Sequence, residues 1–399
     1  MHLLYVTSGF PYPLTSGYLR HYFLLKALSQ RHAITLLSLV GARYLPEHAA
    51  AMSPFTERVL TFTSANKSGT LERKAQGRLW ALANGTRGNR AVQRMSAAIA
   101  RLTEEERFEA VLFSGKDTYP ALAGVNGLPV IVDMCDATSI RIRGGLRYTS
   151  LLRLPLLLCD YERVRRAERQ LFRRAAHLLF GSVRDREAVL GPAAKHASVM
   201  PNGVDTDFWR RSSHERGAET VVFTGAMGYP PNTDAALYLI EDIMPLVRRA
   251  VPGAQALIVG RDPPPRLRDA GRRPGVTVTG FVDDMRPYLE RATVFAAPLR
   301  FGAGIQNKLL EAMAMGVPVV ASPLAAEGLR TEAGERPPVQ VAQDAQQFAE
   351  LITEHLAGWS SQPAPDAKAR RFILDHFVWE RSGAKLEQVL QTVVRGAKH

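Results

Sequence analysis

The feature that most constrains this chain is an alternation of strand and helix patterns that starts twice. His2–Thr7 is a short apolar run, followed by the turn Ser8-Gly9-Phe10-Pro11-Tyr12-Pro13. A helical pattern covers 17–29 and a second strand pattern covers Ala33–Val40. This is a βαβ opening. Further strand patterns lie at 110–113, 129–134 and 177–180, with helical patterns between them. After residue 200 the series begins again, with strands at Thr220–Thr224 and Gln255–Val259 and then at 276–279, 293–297 and 318–321. A helix is expected over 232–250. Strands that are apolar on both faces and separated by helices imply a parallel sheet covered on both sides. The expected fold class is therefore α/β, with two Rossmann-like units. Residues 1–200 form the first and 201–376 the second, and the polar stretch 210–219 is the linker candidate. The tail reads as helical from 372, with Trp379 near a helix start.

The length of 399 residues suits two domains. Two cysteines, Cys135 and Cys159, make neither a disulfide framework nor a metal-ligand spacing. They fit a reducing cytosol. Met1 leads straight into an apolar run without the basic start of a signal peptide. No apolar run approaches the roughly 18 residues that span a bilayer. The expected location is cytoplasmic, in solution or peripheral at the inner membrane surface.

The net charge is +13, and its placement is uneven. Residues 1–200 hold 28 Lys and Arg against 15 Asp and Glu, whereas 201–399 hold 23 against 23. The excess concentrates in 67–94 and 141–186. A basic half suits nucleic acid, anionic lipid or an acidic acceptor, and it also suits a genome that favours arginine. No zinc ligands, RNA-binding signature or recognition helix supports nucleic acid. The apolar run 151–159 is followed by Arg163, Arg165, Arg166, Arg169, Arg173 and Arg174. That pattern fits an anionic membrane surface. It equally fits a solvated helix with its apolar face in the core.

The segment 300–320, RFGAGIQNKLLEAMAMGVPVV, carries the most chemistry. Gly302-Ala303-Gly304 precedes a helix expected over 305–315, which Gly316 stops. Loop amides and a helix N-terminus make an anion site. Lys308 lies near the first turn, within reach of a phosphate. Glu311, one turn on, can accept hydrogen bonds from two adjacent ribose hydroxyls. The alternative is an ordinary solvated Lys–Glu pair.

This segment resembles the donor-binding motif of family-4 retaining glycosyltransferases (glycosyl transferases group 1), which have the GT-B fold. Residues 311–320, EAMAMGVPVV, match its second half. The family's first glutamate is absent, and Ala303 stands in its place. The resemblance implies two Rossmann-like domains whose parallel sheets face a central cleft. A C-terminal helix, 377–399, crosses back to the N-terminal, acceptor-side domain. Glu311 is implied to bind the ribose. Lys308, the amides of Ala303 and Gly304 and the helix dipole are implied to serve the diphosphate.

Other segments carry the same resemblance. Gly225 ends a strand, and Asn232, which also fits a helix N-cap, follows in Tyr229-Pro230-Pro231-Asn232. Arg261 follows Gly260 and suits phosphate, base or solvent. Gly280, Phe281 and Val282 are similar to the family's base-reading segment, although Phe281 also suits the core. Asp283-Asp284 is read as a helix start rather than a metal pair. Pro201-Asn202-Gly203 is similar to the interdomain turn. In the first half, Thr15-Ser16-Gly17 resembles the glycine-rich loop that faces the donor phosphates, and Arg20 is placed to reach the cleft. Asp136 stands where relatives carry a histidine. It can position a sugar hydroxyl, polarise the acceptor or cap the next helix.

The resemblance implies metal-independent transfer without a cofactor, from a nucleotide diphosphate sugar, with retention and front-face attack assisted by the leaving phosphate. Bacterial polysaccharide or glycolipid assembly is the expected setting, and the acceptor is not identified. A small natural-product acceptor, a nucleotide-sugar epimerase and a non-catalytic GT-B scaffold are the other readings.

Overall fold

A computed structural model describes the chain except residues 15–17, 42–43, 64–88, 192–193, 195, 213–218, 359–365 and 398–399. Gly17, most of the 67–94 basic stretch and most of the linker candidate lie outside the described residues. Two units are present. The first comprises Met1–Gly181, Arg186–Met200 and Trp379–His399. The second comprises Ser182–Asp185 and Pro201–Val378.

The first unit has seven strands: β1 (His2–Thr7), β2 (Ala33–Val40), β3 (Arg58–Thr63), β4 (Ala110–Ser114), β5 (Val130–Cys135), β6 (His177–Phe180) and β7 (Ala197–Val199). Their order is β3-β2-β1-β4-β5-β6-β7, all parallel. Alternate residues of β1 go to opposite faces, as strand geometry requires. Leu4 and Val6 join Met95, Ile99 and Phe113 on one side. Leu3 and Tyr5 join Leu24, Leu25, Leu386 and Leu390 on the other. The last two come from the helix Trp379–Gly396, so the chain's final helix belongs to the first unit. Trp379 stacks on Phe23 with ring centroids 4.8 Å apart.

The second unit has six parallel strands: β8 (Thr220–Thr224), β9 (Gln255–Val259), β10 (Val276–Val278), β11 (Val294–Ala297), β12 (Val319–Ala321) and β13 (Gln340–Val341). Their order is β10-β9-β8-β11-β12-β13. One apolar core runs through the unit, centred on Phe223, Phe295, Leu309, Met313 and Phe348.

Several boundaries differ from expectation. The helix expected over 232–250 starts earlier, at Pro230, because prolines at its first two positions need no amide partner. It then passes through a π-type turn at Leu239–Ile243 into Met244–Ala250. The helix expected from 305 begins at Asn307. The helix after Asp283-Asp284 is Arg286–Glu290, and the Asp284 carboxylate accepts from the Arg286 amide and guanidinium. Strands β3, β7 and β13 were not anticipated.

Candidate functional site

In a parallel sheet every strand ends on the same edge, and ligands of such sheets bind there. On that edge of the second unit, Gly225 follows β8 with φ +152°, Gly260 follows β9 with φ +147°, and Gly280 lies just beyond β10 with φ +76°. The first two are forced by packing. A Cβ on Gly260 would sit 1.7 Å from the Gly225 carbonyl oxygen. A Cβ on Gly225 would meet Asn232 Nδ2 at 2.7 Å and Lys308 Cε at 3.2 Å.

Lys308 occupies the centre of this edge. It is the second residue of helix Asn307–Ala314, and it is buried rather than solvated. Its Nζ lies 5.2 Å from the Phe223 ring centroid. It donates to Asn232 Oδ1 at 2.5 Å and to Gln306 Oε1 at 3.3 Å. Both acceptors are neutral amide oxygens. Asn232 is therefore not an N-cap. Tyr229 holds that position, while Asn232 lies inside the helix and donates from Nδ2 to the Ala226 carbonyl at 3.0 Å. The cap reading failed because Pro230 and Pro231 are already helical.

Burial pushes the Lys308 ammonium down to about 8, against the pull of Glu311. Burial likewise pushes Glu311 up to about 7, against the pull of Lys308. An anion arriving at Lys308 needs the ammonium charged, which fails as pH rises through about 8. A ribose diol needs Glu311 ionised, which fails as pH falls through about 7. Affinity for a nucleoside diphosphate is therefore expected to be highest near neutral pH and to fall in both acid and alkali. Calorimetric titration across pH 6 to 9 reads this, and a flat profile would contradict it.

One of the loop amides expected to serve an anion is already engaged. The Gly304 amide (φ +69°) donates to Asp185 Oδ2 at 2.7 Å. Asp185 is fully buried, so it takes up an amide that was assigned to the phosphates. Arg184 braces it from Nε and Nη2, and its Nη1 donates to the Leu324 carbonyl at 2.7 Å. Neither residue was singled out. Ser182 Oγ accepts from the Asp185 amide, so Ser182-x-x-Asp185 is a local helix-start signature. Ala303 is buried. Asn202 Nδ2 donates to Asn307 Oδ1 at 2.8 Å, fixing the helix's first residue.

The remaining second-unit candidates lie along the same edge. Arg261 leans toward Asp262, with 3.8 Å between charged atoms. Phe281 is 62% exposed, which rules out the core reading. Val282 packs against the core.

The first unit has its own polar cluster where β5 ends. Arg20 does not reach outward. It is buried and pairs with Asp133, at 2.7 Å from Nε and 3.2 Å from Nη2. Asp133 Oδ1 also accepts from the Cys135 amide at 3.1 Å. Cys135 has φ +54°, a conformation that costs a non-glycine residue about 1–3 kcal/mol. Burial and then the Asp133 carboxylate push its thiol up to about 12, so it stays protonated. Burial drives His21, which shares a hydrogen bond of 3.0 Å with Tyr5, down to about 4.

Asp136 is not a helix cap, since Ala137 precedes helix Thr138–Gly145 and no side chain caps it. Its Oδ1 accepts from Lys116 Nζ at 3.0 Å and from Thr138 Oγ1 at 2.6 Å. Burial would raise this carboxyl, but Lys116 and Thr138 outweigh it and hold it below the usual range. Asp136 is thus a fixed anion with little basicity. The pairing is invisible locally, because Lys116 arrives from the end of β4.

Residues 218–357 match the family model described as Glycosyl transferases group 1. The match falls within the second unit, and the two Rossmann-like units have the fold of GT-B glycosyltransferases. Among curated proteins, the chain is similar to a phosphatidyl-myo-inositol mannosyltransferase of Mycobacterium tuberculosis. Identity is 37% over 136 residues, which is 32% of this chain and 35% of the relative. The match thus spans about a third of the curated relatives' length. Over nearly its whole length the chain has the fold of Anabaena Alr3699/HepE, solved with UDP and glucose. The TM-score is 0.67 at 15% identity, covering 98% of this chain and 99% of that one. Sucrose-phosphate synthase of Thermosynechococcus elongatus gives a TM-score of 0.70 at 13% identity, covering 99% and 100%.

Proposed function

We propose that this chain is a retaining glycosyltransferase that moves a sugar from a nucleotide diphosphate sugar to an acceptor of polysaccharide or glycolipid assembly. The observation that carries the reading is Lys308. It is a desolvated ammonium whose hydrogen-bond acceptors are neutral amides, at the ligand-binding edge of the second sheet. Such a group is suited to the charge that develops on a departing diphosphate. The Asn307–Ala314 helix N-terminus adds to it. Glu311 takes the ribose hydroxyls, and the backbone at Gly280 to Val282 faces the base. Gly225 and Gly260 let the ends of β8 and β9 close on each other beside Lys308 and Asn232. Retention and front-face attack rest on the resemblance of residues 311–320 to the family motif. In that reading the leaving phosphate itself takes the acceptor proton, and Asp136 orients a sugar hydroxyl. Release of nucleoside diphosphate from a nucleotide sugar, with and without candidate acceptors, tests transfer. Tight nucleotide binding with no release under any condition would favour a non-catalytic scaffold.

A peripheral contact with an anionic membrane completes the proposal. Leu151 and Leu152 are 85% and 92% exposed, and Leu156 and Leu158 are exposed beside them. The helix Leu154–Arg174 buries only Val164, Ala167, Glu168 and Leu171, all in its later turns. The arginine-rich later turns thus fit the core-facing reading, whereas the first turns keep Leu156 and Leu158 exposed. Arg143, Arg147 and Arg153 flank these leucines and are exposed. Apolar side chains among arginines suit a bilayer interface with anionic headgroups. No helix among the described residues is long and apolar enough to cross a membrane. The similarity to a mannosyltransferase named for a phosphatidylinositol acceptor is consistent with this setting. Pelleting with phosphatidylglycerol vesicles is expected to be salt-sensitive. Leu151→Ser with Leu152→Ser should weaken it on the order of 100-fold, from about 1.5 kcal/mol per leucine. Equal pelleting with pure phosphatidylcholine, or none with either, would sink the idea.

A further inference from the structure

The turn Met134-Cys135-Asp136 is held in place more heavily than a surface turn needs. Its middle residue has positive φ and is not glycine. The Cys135 amide and carbonyl and the two flanking carbonyls are all hydrogen-bonded within the first unit. The Cys135 amide donates to Asp133, which Arg20 pins from helix Leu19–Leu28. The Cys135 carbonyl accepts from the Gly181 amide at 2.9 Å, and a Cβ on Gly181 would sit 2.4 Å from that oxygen. The carbonyls on either side belong to Lys116. Its Nζ donates to Met134 O at 3.1 Å and Asp136 O at 2.7 Å, and also to Asp136 Oδ1 at 3.0 Å and Thr138 Oγ1 at 2.8 Å.

An ammonium has three protons, so four oxygens at these distances leave it no donor for a ligand. Lys116 therefore sits like a cation inside a cage of oxygens. Burial works against its charge, but Asp136 and Glu168 outweigh that, and the ammonium stays protonated. Strained backbone at a strand's carboxyl end persists only where its surroundings impose it, and such strain gathers at functional sites. We propose that Lys116 is a positioning residue, which fixes the left-handed turn at Cys135 and thereby the direction of the Asp136 carboxylate for sugar transfer. This inference rests on the glycosyl-transfer reading.

The test needs no identified acceptor. In a Cys159→Ser background Cys135 is the only thiol, so its alkylation by iodoacetamide reports the turn. Donor turnover is followed as nucleoside diphosphate release from whichever nucleotide sugar the wild type consumes. Lys116→Met keeps the length of the side chain without its charge. It is expected to speed Cys135 alkylation and to lower kcat by roughly tenfold or more, with KM for the nucleotide sugar within about threefold. If Lys116→Met does not fold, Thr138→Val removes one wall of the cage and should move both readouts in the same directions. Unchanged kcat overturns the inference. So does a lower kcat with unchanged alkylation, because Lys116 would then not act through the turn. A wild type that releases no nucleoside diphosphate overturns the transfer reading, and this inference with it.

Discussion

Lys308→Met is expected to weaken nucleoside diphosphate binding by about 100-fold or more while leaving the unliganded protein as stable as the wild type, or more so. The two effects have one origin. A drop from 10.5 to about 8 means that the folded protein disfavours this charge. The shift corresponds to about 3 kcal/mol of strain on the charged form. Methionine of similar length fits beside Phe223 without that cost. Against it stands the lost hydrogen bond to Asn232, whose Oδ1 is left buried at about 1–3 kcal/mol. The terms offset to within about 2 kcal/mol, so the melting point moves little. Binding has no such compensation. A charge-assisted contact to phosphate in a desolvated site is worth roughly 3 kcal/mol or more, which is 100-fold or more in Kd. Paired melting curves and titrations with nucleoside diphosphates read both. Retained affinity would remove Lys308 from the site, and a collapse in stability would make it structural.

Gly260→Ala is expected to have the largest effect on stability. Its Cβ would overlap a backbone carbonyl, which cannot rotate away, and φ +147° disfavours any side chain as well. A loss of more than about 3 kcal/mol follows. In a unit of this size that lowers the melting temperature by roughly 6–12 °C. Gly280→Ala is the internal control. Its φ is +76° but nothing lies within 4 Å of the new Cβ, so only backbone strain of about 1 kcal/mol is expected. If both variants melt alike, the close approach of Gly260 to Gly225 is not what the sequence protects.

How much was legible follows from which forces are local. β1, β2, β6, β8 and β9 are buried on both faces, so their residues are nearly all apolar and bounded by turns. β3 was missed because it is an edge strand with alternating polar residues, and β7 and β13 because they are too short to show a period. The strand-end glycines were readable, since close backbone contact admits little else. Lys308 and Glu311 were readable as a pair, but not the burial of Lys308. Its wall, Phe223, comes from β8, and its partner Asn232 from a helix whose start the two prolines moved. The Asp185–Gly304 bond, the Arg20–Asp133 pair and the Lys116 cage join residues far apart in sequence. No local pattern announces such contacts. In each, a group expected to face the cleft (the Gly304 amide, Arg20 and Asp136) is held by the protein itself.

The most direct test of the central claim is thermal stabilisation by UDP-, GDP-, ADP- and dTDP-sugars, measured on wild type and on Glu311→Ala. The account predicts that one nucleotide series raises the melting temperature of the wild type and that the substitution removes the shift. No shift with any of the four at millimolar concentration, or a shift that Glu311→Ala keeps in full, would contradict it.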